Sequence, residues 1–326
     1  MKSMRKFRLY MGATGMLILI LDGRTALSGM VEGIELCLYT LFPSLFPFSV
    51  LSALITEATL GTKIPILQPI TKRLGIPEGA ESLLLIGWLG GYPIGAQAVA
   101  DAQISGHLTP SDAQKLAIIC NNPGPAFLFG VLGSVISGQR NLWCLWGIQI
   151  ISSLLICRII PDNIQLYSSV HQGGLVPFPD ILRKSALSMI NIGSSVVFFR
   201  TVLKFLQQWI FHRIPETLGI ALTGIMELSN GCILLSNVHD QSIRLILASG
   251  LLSFGGVCVG MQTTSALKDL KISRYLAWKA IQSIFCISMT ALIVLPISKS
   301  FPFLPVVGIP GIYFLIAGKK KDIAFA

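Results

Sequence analysis

Four short strings of Gly, Pro, Asn and Ser interrupt runs of apolar residues in this chain: Gly90-Gly91-Tyr92-Pro93-Ile94-Gly95, Asn121-Asn122-Pro123-Gly124-Pro125, Glu227-Leu228-Ser229-Asn230-Gly231 and Ser253-Phe254-Gly255-Gly256. A helix interrupted in an apolar surrounding leaves backbone N–H and C=O groups unpaired, at several kcal/mol each. Such breaks persist where protein, water or a ligand satisfies those groups. The residues placed to do so are Gly91, Tyr92, Pro93, Gly95, Asn121, Asn122, Gly124, Ser229, Asn230, Ser253, Gly255, Gly256 and, a few positions on, Gln262. Together they are the candidate binding positions for a small solute. A half-helix that begins at a break turns its positive dipole end toward it, which favours anionic groups. Glu227 adds a titratable group. A carboxylate near a bilayer centre costs roughly 2.5–3.5 kcal/mol on insertion scales, so it is expected to face a polar cavity or to be protonated. Burial favours its neutral form and amide donors its charged form. That balance suits coupling or gating by H+ or Na+, while capping of the turn by the carboxylate is the purely structural alternative.

Other chemistries find no footing. There is no G-x-S-G string with an intramembrane histidine, no H-E-x-x-H, no G-x-G-D and no paired aspartates, so no enzyme is expected. The histidines at 107, 171, 212 and 239 have no metal-ligand spacing, and the seven cysteines form no C-x-x-C pair. Neither a metal nor a cofactor is expected, and the cysteines read as buried thiols. The net charge of +10 raises nucleic acid as a partner, but the basic residues cluster without aromatic interleaving between apolar segments, at 2–8, 63–73, 268–274 and 319–321. That is the pattern of the positive-inside rule, and it excludes nucleic-acid binding. The partners expected are a lipid bilayer and a small-molecule solute, with homo-oligomer formation left open.

The elements that position these strings follow from composition. Only 12% of the 326 residues are charged and 52% are hydrophobic, about half the charge of a soluble domain. The fold class expected is therefore an all-α polytopic membrane protein in one membrane domain, 1–326. An N-terminal span occupies 1–25, although a cleaved leader is the alternative for so short an apolar run. Spans or broken spans follow at 34–55, 80–104, 110–137, 143–160, 185–210, 217–235, 243–266 and 276–297, and a last one at 303–317 precedes a basic tail. The order of features in 30–160 recurs in 180–298: an intact span, a short broken pair, a span with a Gly-rich break, an intact span. With the broken pairs taken as re-entrant hairpins and the basic loops inside, there are eight crossings, both termini are cytoplasmic and the second repeat is inverted relative to the first. Inverted repeats with discontinuous helices are a recurrent design of secondary transporters. Asp101 reads as interfacial, and Arg200 and Lys204 as snorkelling outward. A non-transporting scaffold would instead show intact helices with small-xxx-small faces.

The strings Gly91-Tyr92-Pro93-Ile94-Gly95-Ala96, Asn121-Asn122-Pro123-Gly124-Pro125, Gly224-Ile225-Met226-Glu227 with Asn230-Gly231, and Ser253-Phe254-Gly255-Gly256 with Gln262 resemble the sporulation integral membrane protein YlbJ family. That family lies within the nucleoside-recognition (Gate domain) group related to concentrative nucleoside transporters. The similarity covers about residues 30 to 298. It implies a role in spore formation, carrying dipicolinate across the outer forespore membrane, with a nucleoside-type solute or a non-transporting assembly role as alternatives.

Overall fold

The computed structural model describes residues 2–59, 62–74, 76, 79–160 and 176–308. The basic tail, His171 and most of the expected last span lie outside them. Among the described residues there is no β-strand, and the helices are α1 (Lys2–Leu21), α2 (Gly23–Leu36), α3 (Phe42–Thr59), α4 (Gln68–Leu74), α5 (Glu81–Leu89), α6 (Ile94–Ile104), α7 (Pro110–Cys120), α8 (Pro125–Gly130), α9 (Gln139–Ile159), α10 (Phe178–Trp209), α11 (Glu216–Met226), α12 (Leu228–Leu234), α13 (Gln241–Phe254), α14 (Gly256–Ala266), α15 (Ile272–Val294) and the single turn α16 (Ile297–Ser300). Five helical stretches are long and apolar enough to cross a membrane: Gly23–Thr59, Gln139–Ile159, Phe178–Arg213, Gln241–Ala266 and Ile272–Val294. The chain is an integral membrane protein. The expected N-terminal span is a helix, α1, yet with four basic residues in its first two turns it is not one of those five.

The first long stretch starts earlier than its apolar run. Asp22 caps α2 by accepting from the Thr25 amide at 3.1 Å, and the helix runs on through a π-helical turn at Cys37–Leu41 into α3. That wide turn stands immediately before Phe42 and Pro43, where the ladder loses an N–H donor. The Ser44 hydroxyl donates to the Thr40 carbonyl at 2.6 Å beside it. Packing of α2 on α10 relies on Gly29 and Gly33. A Cβ on either would lie 2.8 Å from a Cα of α10, at Thr201 and Val197 respectively, so the backbones touch as in small-xxx-small contacts. Between them Glu32 accepts from Arg200 and Lys204. These two cations therefore turn inward to a carboxylate and do not snorkel outward as expected, because a paired charge avoids most of the cost of an isolated one in hydrocarbon.

All four breaks occur where the strings place them. Helix stops at Leu89 and resumes at Ile94, stops at Cys120 and resumes at Pro125, stops at Met226 and resumes at Leu228, stops at Phe254 and resumes at Gly256. The third is narrower than expected, one residue of extended backbone at Glu227. The second half-helix is shorter than expected, since α8 ends at Gly130 and a 3-10 turn follows.

Contacts among the connections sort into two sets. One joins Glu57 to Val176, Leu74 to Cys157, Asp101 to Lys184 and Gln103 to Asp269. The other joins Thr25 to Gln208, Glu216 to Asn237, Val135 to Arg244 and Ser242 to Val294. The pair α5–α6 begins and ends among the first set, and α11–α12 among the second. Asp101 pairs with a half-exposed Lys184 at the rim, in keeping with an interfacial position.

Candidate functional site

Each broken pair folds back on itself over two glycines. In α5–α6, a Cβ on Gly95 would meet the Gly87 Cα at 3.0 Å, and a Cβ on either glycine would lie about 2 Å from the Cys120 carbonyl oxygen at the end of α7. In α11–α12, a Cβ on Gly231 would lie 2.2 Å from the Gly224 Cα, and the Leu251 side chain of α13 covers both. The breaks of each half then abut. Gly91, at φ +75°, leaves no room for a Cβ against the Gly124 amide (2.5 Å). Gly256, at φ +82°, lies against the Gly224 carbonyl (3.1 Å) and the Leu228 amide (3.3 Å). These two positive-φ glycines sit where a side chain would clash with backbone as well as strain it. The two halves meet at Tyr92. Its hydroxyl donates to the Leu252 carbonyl at 2.8 Å, and its ring edge lies against Gly255 and Phe127.

Where they meet is a cavity of about 20 Å³ lined in part by Tyr92, Pro93, Glu227, Ser229 and Gln262, room for about one water. Glu227 is buried and accepts from the Ser229 amide (3.1 Å), the Asn230 amide (2.8 Å) and the Asn230 side-chain amide (2.6 Å). It caps α12, so the N-terminal donors of that half-helix are already occupied by a carboxylate. A larger polar cleft of about 490 Å³ shares Pro93 and Gln262 with this cavity and opens between α6, α10 and α14 past Gln97, Ser188, Asn191 and Ser265 to the Asp101–Lys184 pair. A second cleft of about 280 Å³ lies across the hydrogen bond from Gln97 to Ser188, lined by Ser49, Thr56, Glu57 and Ser185.

Of the positions singled out by sequence, Tyr92, Pro93, Glu227, Ser229 and Gln262 come together at the small cavity. Gly91, Gly124, Gly255 and Gly256 form its backbone crossings, and Asn230 supports Glu227. Gly95 serves the hairpin contact with Cys120, and Ser253 is buried one turn behind the crossing. Asn121 and Asn122 belong to a separate buried cluster around Lys279 of α15. The Lys279 ammonium donates to the Asn121 carbonyl (2.9 Å), Asn122 Oδ1 (3.1 Å) and Gln282 Oε1 (2.7 Å). Gln282 Nε2 in turn donates to Asn122 Oδ1 and Ser152. Asn121 Nδ2 donates to Thr263 and Tyr275, both at 2.8 Å. Three buried oxygens at or near the breaks, Asn121 Oδ1, Thr223 Oγ1 and Ser253 Oγ, have no hydrogen-bond partner among the described residues.

Sequence reasoning passed over Lys279 and Gln282 because interrupted helices carried the signal and 276–297 reads as intact. Their own signal is a lysine inside an apolar run, with Gln282 and Cys286 on the same helical face, three and seven residues on. Gln97 and Ser188, 91 residues apart, gave none.

The chain is 20% identical over 307 residues to the sporulation integral membrane protein YlbJ of Bacillus subtilis (strain 168), which covers 78% of this chain and 74% of that protein. No family model matches the chain, and no solved structure matches it. The resemblance read from the motifs is thus to the same protein that whole-chain comparison finds.

Proposed function

We propose that this chain is a carrier, not an enzyme, which moves a small polar solute across a membrane through the meeting point of its four helix breaks. The observation that carries this reading is the junction at Tyr92, where breaks from both parts of the chain close a 20 Å³ cavity next to a polar cleft of about 490 Å³. Polar walls inside a membrane protein imply water or solute, and irregular backbone at membrane depth belongs beside such a cavity. An inverted pair of repeats, 30–160 and 180–298, is supported by the matched glycine crossings and by the return of each broken pair to the set of connections it left. In a bilayer those pairs are re-entrant hairpins. On this reading the basic residues of 63–73, 176–184 and 268–274 share one side, which the positive-inside rule makes cytoplasmic, and both termini are assigned to it.

The solute carries a carboxylate. With α12 capped by Glu227, the positive ends left at the crossing are those of α6, α8 and α14, which begin at Ile94, Pro125 and Gly256. By resemblance the solute is dipicolinate and the membrane is the outer forespore membrane; a nucleoside-type solute is the alternative. Glu227, held at the junction by three donors, carries the coupling proton or Na+ or gates the passage. The test is flux into proteoliposomes of purified protein, with dipicolinate and uridine side by side. Saturable dipicolinate entry without uridine entry is the expected result. Uridine entry alone moves the protein to the nucleoside branch, and entry of neither leaves a scaffold.

A further inference from the structure

The Lys279 amine has no carboxylate partner among the described residues. It lies seven residues into α15, about 10 Å from the start of that helix, and is fully buried. Its three hydrogen bonds all go to neutral oxygens, those of Asn121, Asn122 and Gln282, and among the described residues no salt bridge reaches it. One acceptor is distinctive. Asn121 terminates α7, so its carbonyl stands at the negative end of a helix dipole, in a stretch of backbone that has left the helical ladder. A main-chain carbonyl at a half-helix C-terminus, joined by two side-chain amide oxygens, is the oxygen cage that discontinuous helices offer to a monovalent cation. Here a side chain from the next span fills it. The other half of the molecule is built differently. There the carbonyl of Leu252, just before the corresponding break, accepts from the Tyr92 hydroxyl, and the charge near the crossing is the carboxylate of Glu227 at a helix N-terminus. The two ionisable groups, an amine and a carboxyl, thus stand at opposite kinds of helix end, each where the dipole favours its charged form.

We propose that the α7–α8 break is a monovalent-cation site filled by the chain's own Lys279 side chain in its ammonium form, which acts as a positioning residue for Asn121 and Asn122 and removes the need for a dissolved cation there. The proposal concerns this break alone and does not depend on what the protein transports. Truncating the side chain opens a cavity of the length of a butyl chain with the three oxygens at its end, which a small cation can enter.

Thermal unfolding of the purified full chain in detergent tests it, using Lys279→Ala and Lys279→Met in sodium, methylammonium or N-methylglucamine chloride at equal ionic strength. Each variant is read as its difference from the wild type in the same salt, which cancels any sodium effect at Glu227. Lys279→Ala is expected to unfold several degrees lower in N-methylglucamine, and to recover saturably in methylammonium or sodium. Lys279→Met, which fills the space without charge, is expected to be destabilised with no recovery in any salt. A loss in Lys279→Ala that no small cation reverses overturns the proposal. So does a Met variant as stable as the wild type. Should Lys279→Ala yield no folded protein, the Met variant decides: destabilisation supports a required cation, and wild-type stability refutes it.

Discussion

Both oxygens of the Glu227 carboxylate are engaged at the first turn of α12, by amides two and three residues on. The same atoms that make the group a cap also make it responsive, because any proton or cation that binds must compete with those donors. Glu227→Gln keeps one oxygen acceptor in place and cannot titrate. It is expected to fold and to retain ligand binding, while uptake loses its dependence on pH or on the coupling cation. Glu227→Ala removes the cap as well and is expected to lower stability by about 1–2 kcal/mol, the cost of a lost N-cap. Uptake against pH, alongside thermal unfolding of both variants, separates the two roles; wild-type pH dependence in Glu227→Gln reduces the residue to its cap. The burial of Glu227 among donors was legible from sequence, since a carboxylate between apolar runs is costly unless donors or a polar cavity receive it. The identity of its donors was legible too, because an N-cap reaches only the next few amides. Lys279 was less so: its partners at the end of α7 lie about 157 residues away, a distance across which residue types give no address.

Helix breaks were the most legible elements, for a physical reason. Glycine, proline and asparagine disfavour the helical ladder wherever they cluster, so 90–95, 121–125 and 253–256 declared themselves without any knowledge of packing. Where a helix continues despite such residues, sequence misleads. Pro43 and Pro47 are residues that break helices, yet a π-helical turn and the Ser44 hydroxyl carry the helix through to Thr59. The start of the same stretch was hidden because Gly29 and Gly33 look like weak helix formers until α10 is seen against them. That contact gives the prediction at this scale. Gly33→Leu must push α10 away from a Cα–Cβ approach of 2.8 Å and is expected to cost about 1–3 kcal/mol by overpacking, read as a fall in unfolding temperature. Gly12→Leu on α1, where nothing lies within 4 Å of the added atom, is the matched control and should leave that temperature unchanged. Equal effects at the two positions would show that Gly33 packs no more tightly than Gly12.

For the molecule as a whole, sidedness is the property that the pattern of basic loops predicts. His107 follows α6 among the connections around Asp101 and Lys184, and His239 precedes α13 among those around Val135 and Arg244. In a background without cysteine, His107→Cys is expected to react with an impermeant thiol reagent only from the cytoplasmic face, and His239→Cys only from the opposite face. Labelling of both from one face removes the inverted repeat. Legibility ended at the clefts. Each is formed by residues from three separated helices, and Ser188, Asn191 and Ser265 pass in the sequence as ordinary small polar residues of apolar helices.

The tethered ammonium of Lys279 has an electrical consequence. A charge bound covalently to the protein is never released to the other compartment, so it drops out of the current that a complete cycle carries. For the proposed carrier, what remains is the charge of the solute and of any ion exchanged at Glu227. A dicarboxylate moving alone transfers two elementary charges; moving with one proton or one Na+ it transfers one. Each charge is worth about 2.3 kcal/mol per 100 mV, which is roughly a fifty-fold change in the accumulation ratio. Imposing a potassium diffusion potential of that size across dipicolinate-loaded proteoliposomes therefore counts the ions directly: a shift of about fifty-fold means one companion cation, and a shift near its square means none.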